Sequence, residues 1–363
     1  MMNIPIMTIL TSGPSMSIPG PYWLFTILHW LMFTFHLIAM NFLFGGILLI
    51  IFAKKSPYRK LLLPDILKAF PTSLAATITL GVAPLLFLQV IYGKFFYSAT
   101  IISGWNWFMV VPVVIVVYYL LYTASIKKSL ADKRRITLLS IAAVGLVYVS
   151  YTLTMIADLA IKPELWAALY QSSPEGMNLN PDWIQTFFRW GHSLAGALTV
   201  AGIIIQLFAL YYKKVKGNLE LFVYGRRIFM IGMIKATILA AIYLLVIDRN
   251  ILMAFLSSPG LHVLLTAIVL NIAAIIINYR VSSVEKGRGL ILTTASLVFA
   301  GMFLMVMTRH FLRLVYLDGV FDPARLDIQT QMGPLILFLA CFAPGVIVTI
   351  WMIRKYFSAF RQT

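Results

Sequence analysis

The sequence predicts an all-α integral membrane protein, a bundle of about nine transmembrane helices with the N-terminus outside and the C-terminus in the cytoplasm. Three observations predict it. The chain is 61% hydrophobic and only 11% charged, where a soluble domain carries about a quarter charged residues. Its apolar stretches are long enough to cross a bilayer, which takes about 20 residues each. Its basic residues collect in alternate loops.

In chain order, the candidate spans are 22–53, 66–92, 106–126, 136–161, 186–212, 228–247, 260–279, 289–308 and 333–353, one membrane domain filling 1–363. Most ends carry helix breakers, among them Gly20-Pro21, Pro163, Pro181, Pro259-Gly260 and Gly333-Pro334. Residues Met1–Gly20 contain no basic residue and no small-residue cleavage site, so they do not read as a signal peptide. Trp23, Trp105, Trp107 and Trp183 lie near span ends, where an aromatic belt sits.

The loops settle the expected orientation. One side holds Lys54, Lys55, Arg59, Lys60 and Lys68, then Lys127, Lys128, Lys133, Arg134 and Arg135. It continues with Lys213, Lys214, Lys216, Arg226 and Arg227, then Arg280, Lys286 and Arg288, then Arg354, Lys355 and Arg361. These are 21 of the 29 lysines and arginines. The positive-inside rule puts this side in the cytoplasm. Topology thus accounts for the net charge of +17, and no nucleic-acid partner is needed. The expected surroundings are membrane lipid, in the cytoplasmic (inner) membrane. The lone Cys341 can form no intrachain disulfide and excludes a Cys-based zinc or iron–sulfur site within the chain.

The chemistry lies in the five histidines: His29, His36, His192, His262 and His310. Ionisable residues within spans are rare and mark function. His192 and His262 lie just inside spans that enter from outside, and His310 lies at the outer end of the eighth span. His36 is 18 residues above Lys54, roughly 27 Å at the helical rise, and so also near the outer boundary. His29 lies seven residues further out on the same helix face, about 10 Å higher. Four histidines on separate spans at one depth suit haem ligation by imidazole pairs from facing helices. Zinc is the other metal that favours histidine, but Asp158, at the outer end of the fourth span, is the one carboxylate placed to join them, and it reads as an interfacial acid. Arg189, Arg309 and Arg313 flank His192 and His310, where arginine forks suit haem propionates. Met302, Met305 and Met307 read as helix packing. Lys235, inside the sixth span, reads as snorkelling to the cytoplasm, with a proton path or propionate contact as the alternative.

The residues also carry a family resemblance. His36 followed nine residues later by Gly45, Leu80-Gly81-Val82-Ala83 through Gly93, His192-Ser-Leu-Ala-Gly196, and Gly301-Met-Phe-Leu-Met-Val-Met-Thr-Arg309 resemble segments of subunit I of cytochrome bd-type quinol oxidases. The resemblance implies nine spans in this orientation, a haem ligand at His36, a low-spin haem b ligand at His192, and quinol as substrate. The chain departs from the family where oxygen chemistry resides. Gln89 and Val306 stand where the oxidases carry glutamates, the third span has no acid, and the quinol-binding loop shrinks to about Asp248–Pro259. Without those carboxylates the acid chemistry that protonates reduced oxygen is missing.

The expected function is therefore a bd-like cytochrome b subunit with two or more haems b near the outer face. It would carry electrons between membrane quinol and an extracytoplasmic redox partner, a multihaem cytochrome c or another redox subunit. The expected axial pairs are His192 with His262 and His36 with His310, which would replace the lost glutamate ligand. His29 is left for a further haem or a quinol site. The competing expectations are an oxygen-reducing oxidase subunit and a cofactor-free multi-pass transporter.

Overall fold

The computed structural model describes residues 17–52, 57–127, 129–212 and 215–362. Lys54, Lys55, Lys128, Lys213 and Lys214 of the basic loops, and residues 1–16 of the N-terminal segment, lie outside the described residues. The chain is built of helices: α1 (Tyr22–Phe52), α2 (Pro57–Ile102), α3 (Gly104–Phe108), α4 (Val110–Ile126), α5 (Asp132–Leu159), α6 (Trp166–Ser172), α7 (Trp183–Tyr211), α8 (Leu219–Val246), α9 (Arg249–Leu256), α10 (Gly260–Tyr279), α11 (Arg288–Tyr316) and α12 (Met332–Gln362). Among the described residues, extended pairing is limited to a single bridge between Ile18 and Ile328. Among the described residues, eight helices are long and apolar enough to span a membrane, with α3 and α4 counted as one. A backbone without water must satisfy its own hydrogen bonds, and an α-helix does so within one segment.

The long helices pair as antiparallel hairpins, α1 with α2, α4 with α5, α7 with α8 and α10 with α11. Helices α1 and α7 form the middle of the bundle, touching each other and both touching α5 and α11. Small residues allow this. A Cβ on Gly45 would fall 2.4 Å from the Ala197 carbonyl oxygen, so α1 and α7 are in backbone contact. A Cβ on Gly202 would fall 2.3 Å from the Phe229 nitrogen, and one on Gly232 2.3 Å from the Thr199 nitrogen. The α7–α8 seam is therefore a small-residue seam of the kind that lets membrane helices approach closely.

Two expected span ends are corrected. Helix α2 does not stop at 92. It kinks at Tyr92 (φ −118°, ψ 31°) and runs through Gly93 to Ile102. Ile91, Tyr92, Phe95, Phe96, Ala99 and Ile102 are all buried in this extension. They pack against Met155, Leu159, Trp166, Leu317 and Phe321, so apolar contact continues the helix beyond the length a bilayer requires. Likewise α11 runs past 308 to Tyr316, where the Tyr316 hydroxyl accepts from the Gln185 side-chain amide. The last turn of α2 is closed from the 173–182 loop: Asn178 Nδ2 donates to the Ile102 carbonyl at 3.1 Å, and Trp105 N–H to the Gly176 carbonyl at 3.0 Å. Gly176 holds a positive φ of 81° there, which suits a residue without a Cβ. The short segment expected as a reduced loop, Asp248–Pro259, is instead mostly helix α9, capped by Asp248 Oδ1 on the Asn250 and Ile251 amides. In α12, nearly every side chain from Met332 to Val348 is exposed.

Candidate functional site

Three of the five histidines are held in the same way. His36 Nδ1 lies 2.8 Å from the Thr77 carbonyl oxygen, His29 Nδ1 3.0 Å from the Pro84 carbonyl oxygen, and His192 Nδ1 2.9 Å from the Ala236 carbonyl oxygen. A carbonyl can only accept, so each Nδ1 must carry the proton and donate it. The neutral ring then has its lone pair on Nε2. Metal-ligating histidines are oriented by a second-shell bond of this type. No hydrogen bond is made to any of these three Nε2 atoms from the described residues.

The helix seams place these rings. His29 and His36 are seven residues apart on α1, and their acceptors Pro84 and Thr77 are seven apart on α2, as antiparallel helices in register require. Gly81 makes room for the His36 ring, since a Cβ there would sit 2.7 Å from Nδ1 and 2.8 Å from Cε1. Phe33 stacks between the two imidazoles, with centroids 5.6 Å from His29 and 5.9 Å from His36 and planes within 14° and 13°. On α7, the close α8 backbone allowed by Gly202 and Gly232 brings the Ala236 carbonyl to His192.

The other two histidines differ. His310 is buried, and its Nε2 is 2.9 Å from the Tyr22 hydroxyl. Its ring stands on edge against Trp30 at 5.3 Å. Because α11 continues to Tyr316, His310 lies within the helix and not at its end. His262 is exposed, and its backbone carbonyl accepts from the Thr266 hydroxyl at 2.8 Å. Its ring is thus placed differently from that of His192, which is held against α8 through Ala236.

The arginines form the second part of the site. Arg189 pairs with Asp158 Oδ1, and both side chains are nearly inaccessible. This corrects the interfacial reading of Asp158. It is 1% exposed, because α7 lays Arg189 over it, and its Oδ2 has no partner. Arg309 lies over the Phe33 ring at 5.4 Å, and Arg313 over the Tyr92 ring at 4.9 Å. Neither has an acidic partner among the described residues. Arg189, Arg309 and Arg313 are within electrostatic range of one another, Arg309 also of His29 and His192. The cluster thus carries three guanidiniums and one carboxylate. Guanidiniums taken out of water need anionic partners or rings to lie on.

Sequence reading did not single out Phe33, Tyr22, Trp30, Thr77 or Tyr243. Phe33 had a usable signal: it lies four residues after His29 and three before His36, the spacing of one helix face. Tyr243, whose buried hydroxyl has no partner, and Trp30, whose Nε1 has none, had no such signal. Lys235 is exposed on α8, and Gln89 is half-buried and accepts from the Tyr97 hydroxyl at 3.2 Å. Val306 is buried.

These are the residues that could hold a haem. They offer aprotic imidazole nitrogens for iron, aromatic surroundings for the ring, and guanidiniums without acid partners for propionates. A bare metal ion fits less well. Among the described residues, no three histidine, cysteine or acidic side chains cluster to hold one, and Asp158 is committed to Arg189. No protein-family model matches the chain, and no curated protein matches it either.

Proposed function

We propose that this chain is a bd-like b-type cytochrome subunit of the cytoplasmic membrane. It carries electrons between membrane quinol and an extracytoplasmic redox partner, a multihaem cytochrome c or another redox subunit. One observation carries the reading: three histidines on long apolar helices each commit Nδ1–H to a backbone carbonyl and, among the described residues, keep Nε2 free, beside Arg309 and Arg313, which have no acid partner among those residues. In this reading nine helices cross the bilayer, α12 being the ninth, with the N-terminus outside and the basic loops in the cytoplasm. The histidine end then faces the periplasm or exterior.

His36 and His192 hold haem iron through Nε2. Thr77 and Ala236 keep those rings in the correct tautomer. Arg309 and Arg313 neutralise propionates, while Asp158 holds Arg189 in place. Bound haem supplies a one-electron carrier. The side chains at the positions that the resemblance assigns to oxidase glutamates supply no acid, since Gln89 is an amide and Val306 is aliphatic and buried. That favours onward transfer of electrons over oxygen reduction.

Pyridine haemochromogen analysis of the purified chain tests the reading. The expected result is b-type haem, two or more per polypeptide. Haem-free protein of native fold would leave the multi-pass transporter reading. Sustained oxygen uptake driven by quinol would leave the oxidase reading.

A further inference from the structure

The Asp158 carboxylate is only half used. Its Oδ1 accepts from Arg189, while Oδ2 is buried and has no hydrogen-bond partner among the described residues. An arginine placed only to neutralise a buried acid does best as a fork on both oxygens, because an acceptor left unmade out of water is costly. The free oxygen therefore suits a donor that none of the described residues supplies.

The rest of the α5–α7 seam indicates which donor. Tyr151 lies seven residues before Asp158 on α5, on the same helix face and about 10 Å along it. Its ring meets the Trp190 ring edge-on at 5.7 Å, and the Phe187 ring lies 5.8 Å from that of Trp190. Trp190, next to Arg189 in the chain, is anchored across the seam, its Nε1 donating to Ser150 Oγ at 2.9 Å. Phe187 is exposed, so the three rings carry the seam out to the surface of the bundle. On the other side of Arg189, Gln185 and Asp182 continue the same face of α7 at intervals of four and three residues. Lys162 Nζ donates to both side chains, to Gln185 at 2.8 Å, and the Asp182 carboxylate is half exposed. Aromatic rings thus lie at one end of the buried carboxylate and a polar lead to the surface at the other.

We propose that the α5–α7 seam is where quinol is oxidised, with the head group between Asp158 and the rings of Tyr151 and Trp190 and one hydroxyl donating to Asp158 Oδ2. This rests on the quinol-to-haem reading proposed above. The quinol enters from the lipid past Phe187, and its ring packs on the aromatic side chains. Each O–H bond that breaks gives its proton to Oδ2, and the ring, losing two electrons one at a time to haem iron, becomes the quinone. Asp158 passes the first proton toward Asp182 and the exterior before it takes the second. Arg189 holds the carboxylate in orientation, and His192, one turn further along α7, sets the electron acceptor beside it.

The experiment uses the whole chain purified in detergent, as wild type, Asp158→Asn and Asp158→Glu. Duroquinol is mixed with the oxidised protein, and haem reduction is followed by stopped-flow absorbance, with dithionite as the control reductant. Asparagine keeps an oxygen for Arg189 and removes the proton acceptor. Reduction by duroquinol should slow by about 100-fold or more in Asp158→Asn, with haem content and the dithionite-reduced spectrum unchanged, and Asp158→Glu should recover part of the rate. A photoactivatable azidoquinone should crosslink wild-type protein on α5 and α7 around Tyr151, Phe187 and Trp190, with protection by excess duroquinol; this arm does not depend on the folding of any variant. Asp158→Asn reduced by duroquinol at the wild-type rate would overturn the inference, and so would crosslinks confined to other helices. Wild-type haem that duroquinol does not reduce would instead overturn the quinol reading, and wild-type protein without haem the haem reading.

Discussion

Glycine 81 offers a test whose sign can be worked out beforehand. Replacing a helical glycine by alanine ordinarily stabilises by about 0.5–1 kcal/mol, because the unfolded chain loses freedom. Here the new methyl would lie 2.7 Å from His36 Nδ1 and 2.8 Å from Cε1, so the ring must retreat by roughly 0.7 Å to reach ordinary van der Waals contact. The ring is not free to do so, since Nδ1 is tied to Thr77 at 2.8 Å and Phe33 stacks against it. Overpacking of this kind costs about 1–3 kcal/mol, and a strained or broken hydrogen bond adds about 1 kcal/mol. Gly81→Ala should therefore destabilise by about 1–3.5 kcal/mol net of the backbone gain. In a His36→Ala background the obstacle is gone, and the same change should stabilise by about 0.5–1 kcal/mol. Denaturant titration of the four proteins in one detergent, followed by circular dichroism, measures the cycle. Additivity within about 0.5 kcal/mol would refute the argument that Gly81 is the notch for the His36 imidazole.

Further outcomes follow from the same packing. Asp158→Ala leaves Arg189 buried without its counter-ion and should cost about 3–5 kcal/mol, whereas Asp158→Ala with Arg189→Met should cost clearly less; melting temperatures of the three proteins compare them, and equal losses would deny that the pair acts as a unit. Gly232→Leu should prevent the α7–α8 seam from closing, because a single Cβ there already meets Thr199 at 2.3 Å, and size-exclusion of a fluorescent fusion should show aggregated protein. For topology, an impermeant maleimide should label Glu175→Cys on intact cells and Lys286→Cys only after the membrane is opened; the reverse pattern would invert the orientation. His192→Asn should lose a low-spin haem component that His262→Asn retains, since only His192 has its ring oriented from inside the bundle.

The all-α class of fold was legible from residue order, because a span must be apolar for about 20 residues; of the nine expected spans, eight appear as helices long and apolar enough to cross a membrane among the described residues. The histidines could be singled out for the same reason, as ionisable groups stand out in apolar runs. Which way they face could not be read. In a helix surrounded by lipid on one side and apolar side chains on the other, both faces are apolar, and the periodicity that reveals the buried face of a soluble helix is absent. Packing alone turned His192 toward Ala236 and left His262 exposed, although both lie just inside their helices. Asp158 reads as an interfacial acid from its place at the outer end of its span, while the packing of α7 on α5 buries it under Arg189. The second span was expected to end at residue 92, where buried aromatic contacts carry α2 on to Ile102. Sequence alone determined that this is a membrane bundle with imidazoles set in it. Tertiary structure decided which ring nitrogens are left free, because the acceptors that take the other nitrogens' protons, Thr77, Pro84 and Ala236, are backbone carbonyls that any residue type would supply.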